Sequence, residues 1–192
     1  MILCNDPPFV FYAVPRTASR AISAHLLKCF PGKARAVGRH HAMHPLPDTE
    51  LHFAFAVVRN PFARHLSHYL FRRSRPRSNM YRLCRRWTFR EYLEWDTNME
   101  APPLSTQEPP QATMLSGCRL HRVLRFESLQ DEFDALPFMA DAKFKGPIKQ
   151  INHNRPYRLA DYYDAYCMRL VRDFAAIDFA AYGYDPERLP DE

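Results

Sequence analysis

F-V-F-Y-A-V-P-R-T-A-S-R-A-I-S-A-H-L-L-K-C-F, residues 9–30, is the stretch that decides how this chain is read. The apolar, β-rich run 9–14 predicts a strand, and Pro15 ends it. Ile22, Leu26, Leu27 and Phe30 recur at helical spacing and share one face. Pro31-Gly32 stops that helix. The product is strand, short polar loop, helix. The loop collects unpaired backbone N–H groups, the hydroxyls of Thr17 and Ser19 and the guanidinium groups of Arg16 and Arg20 at a helix N-terminus. Such a collection attracts an anion, a phosphate above all. It is not a Walker A loop, which needs glycines and a Gly-Lys-Ser/Thr ending; the first of the chain's five glycines is Gly32. The competing reading is that Thr17 or Ser19 only caps the helix and the arginines are solvated.

Residues 53–58, F-A-F-A-V-V, repeat the plan. A continuous apolar run of this length predicts a strand buried on both faces, as in a parallel sheet. Arg59-Asn60-Pro61 follows, with Asn60 suited to the N-cap and Pro61 to the first helical position. Phe62, Leu66, Tyr69 and Leu70 then mark a helix face. Arg59 therefore stands at the carboxyl end of a central strand, where α/β sheets bind ligands. Ser67 lies two turns into the helix, near Arg64 and His65. Residues 121–126 predict a third core strand and 127–133 a further helix. The alternation predicts an α/β protein: one domain over residues 1–192, a central mostly parallel sheet, helices flanking it.

Composition sets the outer bounds. At 192 residues the chain can bury a substantial core. No run of 18 apolar residues occurs, so no membrane span is expected. Residues 1–8 lack the basic region and apolar centre of a signal peptide. The five cysteines form no C-x-x-C pair and predict free thiols in a reducing compartment, hence a cytoplasmic location. A net charge of +6 favours anionic ligands.

Two further stretches carry chemistry-bearing side chains. His40, His41 and His44 crowd one loop, but Pro45 and Pro47 break any helix there and no Cys or carboxylate partner is in sight, so no metal site is predicted. One of these histidines suits a general base, because imidazole titrates near neutral pH. Residues 72–86 hold seven Arg. They read either as a solvated basic loop or as a lip that draws in an acidic substrate. Thr88 and Glu91 are spaced as a capping box. Leu159, Tyr162, Tyr163, Tyr166, Leu170, Val171 and Phe174 predict one long final helix.

These residues together resemble a known family. V-P-R-T-A-S-R-A-I (14–22) is similar to the 5′-phosphosulfate loop of sulfotransferases that use 3′-phosphoadenosine 5′-phosphosulfate (PAPS). F-A-V-V-R-N-P-F-A-R-H-L-S-H-Y (55–69) resembles their 3′-phosphate motif. V-L-R-F-E-S-L-Q-D-E-F (123–133) and I-N-H-N-R-P-Y-R-L-A-D-Y-Y (151–163), with Asp178 and F-A-A-Y-G-Y (179–184), resemble the later parts of the carbohydrate-type branch.

The resemblance implies a P-loop-like sulfotransferase fold and a sulfuryl transfer from PAPS to an acceptor hydroxyl, expected on a carbohydrate, without a metal. It implies that Arg16, Thr17, Ala18, Ser19 and Arg20 hold the 5′-phosphate side of PAPS, and that Arg16 is also catalytic, stabilising negative charge on the leaving phosphate. Arg59 and Ser67 would hold the 3′-phosphate, Arg155 would add to cofactor binding, and His41 or His40 would be the base. Relatives often carry Lys at the position of Arg16; Arg keeps the charge with more donors. Neither nucleic acid nor a membrane is then an expected partner. The alternative is a non-catalytic Arg-rich protein binding nucleic acid or acidic glycan through residues 72–86, with Tyr81 and Trp87 interleaved.

Overall fold

Asn5-Asp6-Pro7-Pro8 turns the chain back on itself at the very start of the fold. A computed structural model describes residues 1–38, 49–76, 80–98, 100, 107–149 and 157–190. In it β1 (Ile2–Asn5) and β2 (Pro8–Tyr12) form an antiparallel hairpin. Helix α1 (Ser19–Cys29) follows, then β3 (Ala34–Ala36), which pairs with β1 antiparallel. β4 (Phe53–Val58) lies parallel to β2, and β5 (Arg122–Arg125) parallel to β4. The five strands make one sheet in the order β3-β1-β2-β4-β5. The α/β class is thus as expected, but the sheet is mixed. The expectation of a mostly parallel sheet is corrected by β1, which pairs antiparallel with β2 on one side and β3 on the other.

The chain divides into two compact units, each discontinuous in sequence. The first is Met1–Arg59 with Met114–His153, and it holds the sheet. Its core takes alternate residues of each strand: Ile2 and Cys4, Phe9 and Phe11, Phe55 and Val57, Leu124. Ile22, Leu26 and Phe30 of α1 pack on that face, as does Phe133 of α6 (Leu129–Asp134). Phe9 stacks on Phe138 with centroids 4.2 Å apart. Each such ring contributes roughly 1.5–3 kcal/mol by burial. Val10, Tyr12, Ala54, Ala56 and Val58 are buried too, so β2 and β4 are covered on both faces, as their unbroken apolar runs require. Leu27, expected on the buried face of α1, is 38% exposed; His25 takes its place inside, edge-on to Phe133 and Phe144.

The second unit is Asn60–Thr113 with Asn154–Glu192. It contains α2 (Pro61–Arg73), α3 (Tyr81–Arg86), α4 (Phe89–Asp96), α7 (Ala165–Phe174) and α8 (Ala176–Tyr182); α5 (Gln111–Leu115) begins in it. Phe62, Leu66, Tyr69, Tyr92, Leu93, Tyr163, Val171 and Phe179 form its core. The caps follow the sequence. Asn60 accepts from the amides of Phe62 (2.9 Å) and Ala63 (3.5 Å). Thr88 and Glu91 close a capping box. The long final helix does not form as one piece: Asp164 caps α7 by accepting from the Cys167 amide at 2.8 Å, and Leu159–Asp161 make a separate 3₁₀ turn.

A buried polar cluster sits inside this second unit. His65 Nδ1 lies 2.8 Å from Asp96 Oδ2, and Arg72 Nη1 donates to Asp96 Oδ1 at 3.3 Å and to the Tyr92 hydroxyl at 3.1 Å. His65, Arg72 and Asp96 are all buried. Arg72 therefore belongs to a helix and its core, which corrects the reading of 72–86 as one solvated loop. All five cysteines are free, and burial raises the thiols of Cys84 and Cys167 to about 11. Among the described residues no helix is long and apolar enough to cross a membrane.

Candidate functional site: the loop before the first helix

β2, β4 and β5 run parallel, so their carboxyl ends open at one edge of the sheet in the first unit. Val58 is in register with Arg125. The next residue on each strand, Arg59 and Phe126, must therefore be neighbours. The Arg59 guanidinium carbon lies 4.2 Å from the centroid of the Phe126 ring. Arg59 Nη1 also donates to the backbone carbonyl of Arg16 at 3.4 Å. Both contacts belong to the strand-end loops of the first unit, and they join the two sequence motifs at a single arginine.

The loop from β2 to α1 has an unusual backbone. Arg16 has φ 69° and Ala18 φ 59°, both in the left-handed region, which costs a residue other than Gly roughly 1–2 kcal/mol. Thr17 lies between them, fully buried, with its hydroxyl donating to the Val14 carbonyl at 2.9 Å. A threonine hydroxyl has one hydrogen to give. Thr17 thus spends that hydrogen on shaping the loop, and its backbone N–H is what it can offer an anion. Ala18 occupies the N-cap of α1, and no side chain caps the helix. The reading of Thr17 or Ser19 as a mere helix cap therefore does not match the fold. The first turn carries no acid either. An eleven-residue helix so presents uncapped amides, with the positive end of its dipole, beside Arg16 and Arg59.

Of the residues singled out in the sequence, Arg16, Thr17, Ala18, Ser19, Arg20 and Arg59 come together in the first unit. Arg16, Ala18, Ser19 and Arg59 are partly accessible and Arg20 is exposed. Ser67 is buried in α2 of the second unit. His40, His41 and Arg155 lie outside the described residues. Phe126 escaped the sequence reading. The signal was available, since it ends the predicted strand 121–126 and so stands at the same sheet edge as Arg59. Among the described residues no group of three or more His, Cys, Asp or Glu side chains is placed to hold a metal ion.

No protein-family model, no curated protein and no solved structure matches this chain. Two strained positions flanking a buried Thr mean that the surrounding structure holds this loop in shape against its own preference. Ala18→Gly is expected to raise the unfolding free energy by roughly 1 kcal/mol, since Gly adopts positive φ without the Cβ clash. A denaturant titration checks this, and an unchanged or lower midpoint would show that the loop stores no strain at Ala18.

Proposed function

We propose that the chain is a PAPS-dependent sulfotransferase that transfers to a carbohydrate hydroxyl. The observation that carries this reading is the strained, uncapped loop at the N-terminus of α1 with Arg59 attached to its Arg16 carbonyl. The donor set fits a nucleotide with phosphate groups at both its 5′ and 3′ positions, because backbone amides and two guanidiniums are all hydrogen-bond donors. PAPS when bound supplies an activated sulfuryl group, whose S–O bond to the 5′-phosphate breaks as a new S–O bond to the acceptor oxygen forms.

The chain's own residues then have distinct tasks. Amides from Thr17 to Arg20 hold the 5′-phosphate side. Arg16 neutralises the negative charge that grows on the leaving phosphate oxygen. Arg59 donates to the 3′-phosphate while Phe126 fixes the plane of its guanidinium. Ser67 is assigned to the same phosphate, and Arg155 to the cofactor, from the motif alone. The acceptor proton passes to the imidazole of His41, or of His40 one residue away. The residues act by placing groups and balancing charge, as in phosphoryl transfer.

Calorimetry with adenosine 3′,5′-bisphosphate and AMP tests the reading. The wild-type chain is expected to prefer the bisphosphate strongly. Arg59→Ala is expected to weaken it about 10- to 150-fold, the equivalent of a charged hydrogen bond. AMP is expected to lose less, and only because Arg59 also steadies the loop through Arg16. Equal losses for both ligands would make Arg59 a loop-holding residue alone. A wild-type chain that binds both ligands equally would remove the sulfotransferase reading.

A further inference from the structure

The second unit carries a face that the proposed chemistry leaves unused. The sequence has no Asp or Glu between Glu50 and Glu91. Within that span the C-terminal end of α2 bears Arg73, the segment after it Arg75, and α3 bears Arg82, Arg85 and Arg86, each exposed. Arg82, Arg85 and Arg86 have the i, i+3, i+4 spacing of one helix face. The opposite side of α3, Leu83 and Cys84, packs into the core of the unit. Among the described residues, no carboxylate lies within ion-pair distance of Arg73, Arg82, Arg85 or Arg86. Arginines near helix C-termini complement the helix dipole. That accounts for Arg73 and Arg85–Arg86 singly, but not for a whole face without an acid.

The aromatic side chains of this face decide what it fits. The guanidinium carbon of Arg75 lies 5.1 Å from the Phe71 centroid, that of Arg85 5.7 Å from Tyr81, and that of Arg73 5.1 Å from Tyr69. Arg85 also donates to the Tyr81 hydroxyl at 3.0 Å. Trp87 is paired with Trp95 at 5.8 Å. The rings serve as seats that orient guanidinium planes, and single-stranded nucleic acid needs open ring faces on which bases stack. Insertion into a membrane needs exposed large apolar side chains, and Leu27, Leu51 and Ile177, the large hydrophobics exposed among the described residues, are not in this face. α3 is six residues long, about 9 Å. It offers a short row of oriented forks suited to sulfate or carboxylate groups along a narrow chain.

We propose that this face binds an anionic polysaccharide, one carrying sulfate or carboxylate groups. The assignment is independent of sulfuryl transfer. Binding of the full chain to a heparin oligosaccharide at 0.15 M salt tests it, with neutral dextran, a 20-base-pair DNA duplex and a 20-nucleotide single strand as comparisons. Wild-type binding to heparin is expected to exceed binding to either DNA by at least about tenfold, with none to dextran. Arg82→Ala/Arg85→Ala/Arg86→Ala is expected to weaken heparin binding at least about tenfold. It also flattens the dependence of log affinity on log salt by about 2–3, one unit for each lost contact. Adenosine 3′,5′-bisphosphate affinity is expected to stay unchanged.

The single variant Arg82→Glu repeats the test with a smaller disturbance, and its melting temperature reports folding. DNA binding as tight as heparin binding, a wild-type chain that ignores heparin, or variants that fold and bind normally would each overturn the proposal.

Discussion

Asp96→Ala is expected to lower the unfolding free energy by about 3–5 kcal/mol, the cost of breaking a buried ion pair from one side. The substitution removes the carboxylate to which buried Arg72 donates and the acceptor of the His65 Nδ1 hydrogen bond. Burial alone pushes the Asp96 carboxyl pKa up. The hydrogen bond from His65 and the charges of His65, Arg72 and Arg64 outweigh burial and hold it below the usual carboxylate range. A carboxyl depressed in the fold contributes stability that is full above its unfolded pKa of about 3.9. That contribution is lost as pH falls through the lower folded value. Asp96→Asn is therefore expected to flatten the acid limb of stability against pH while costing less than Ala near neutrality. Denaturant titrations from pH 2 to 7 check both, and an acid limb identical to wild type would separate Asp96 from acid unfolding.

Arg16→Ala is expected to lower turnover about 10²–10³-fold, the scale on which a group facing transition-state charge contributes. Affinity for PAPS, whose bridging oxygen does not yet carry that charge, is expected to change by no more than about threefold, since the charge that Arg16 meets develops only during transfer. Arg16→Lys keeps the cation and is expected to retain much of the activity. The backbone complicates the choice of substitution in a useful way. At φ 69° neither Ala nor Lys relieves the strain, so both variants keep the backbone of the loop under the same load, and only Lys keeps the cation. Normal turnover with a raised cofactor KM in Arg16→Ala would reassign the residue to ground-state binding.

The sequence carried the central strands and most helix starts because their signals are local. An apolar run such as 53–58 has one good use, a strand covered on both sides, and Asn60-Pro61 and Thr88 with Glu91 announce helix starts chemically. β1 was illegible because four residues with no alternation become a strand only when β2 and β3 lie on either side. The break before α7 was hidden because the apolar spacing runs on through Asp164, whose capping role depends on where its carboxylate points. Arg72 looked like its exposed neighbours; only the positions of Asp96 and Tyr92 make it a core residue. At the candidate site, the positive charge and the helix N-terminus were readable. The left-handed backbone at Arg16 and Ala18 was not, since nothing in a non-Gly residue announces positive φ.

The way the chain alternates between its two units has a consequence for synthesis. The first unit needs β5 beside β4, yet about sixty residues, most of them belonging to the second unit, are made between Val58 and Arg122. At about 5–20 residues per second, the strand F-A-F-A-V-V waits roughly 3–13 s for its neighbour on the ribosome. During that interval it is an open, flat, uncharged β edge, the template on which foreign strands add. Slowed translation between residues 60 and 120 is thus expected to lower the soluble yield without altering the finished fold, and a chaperone that shields apolar strands is expected to restore it.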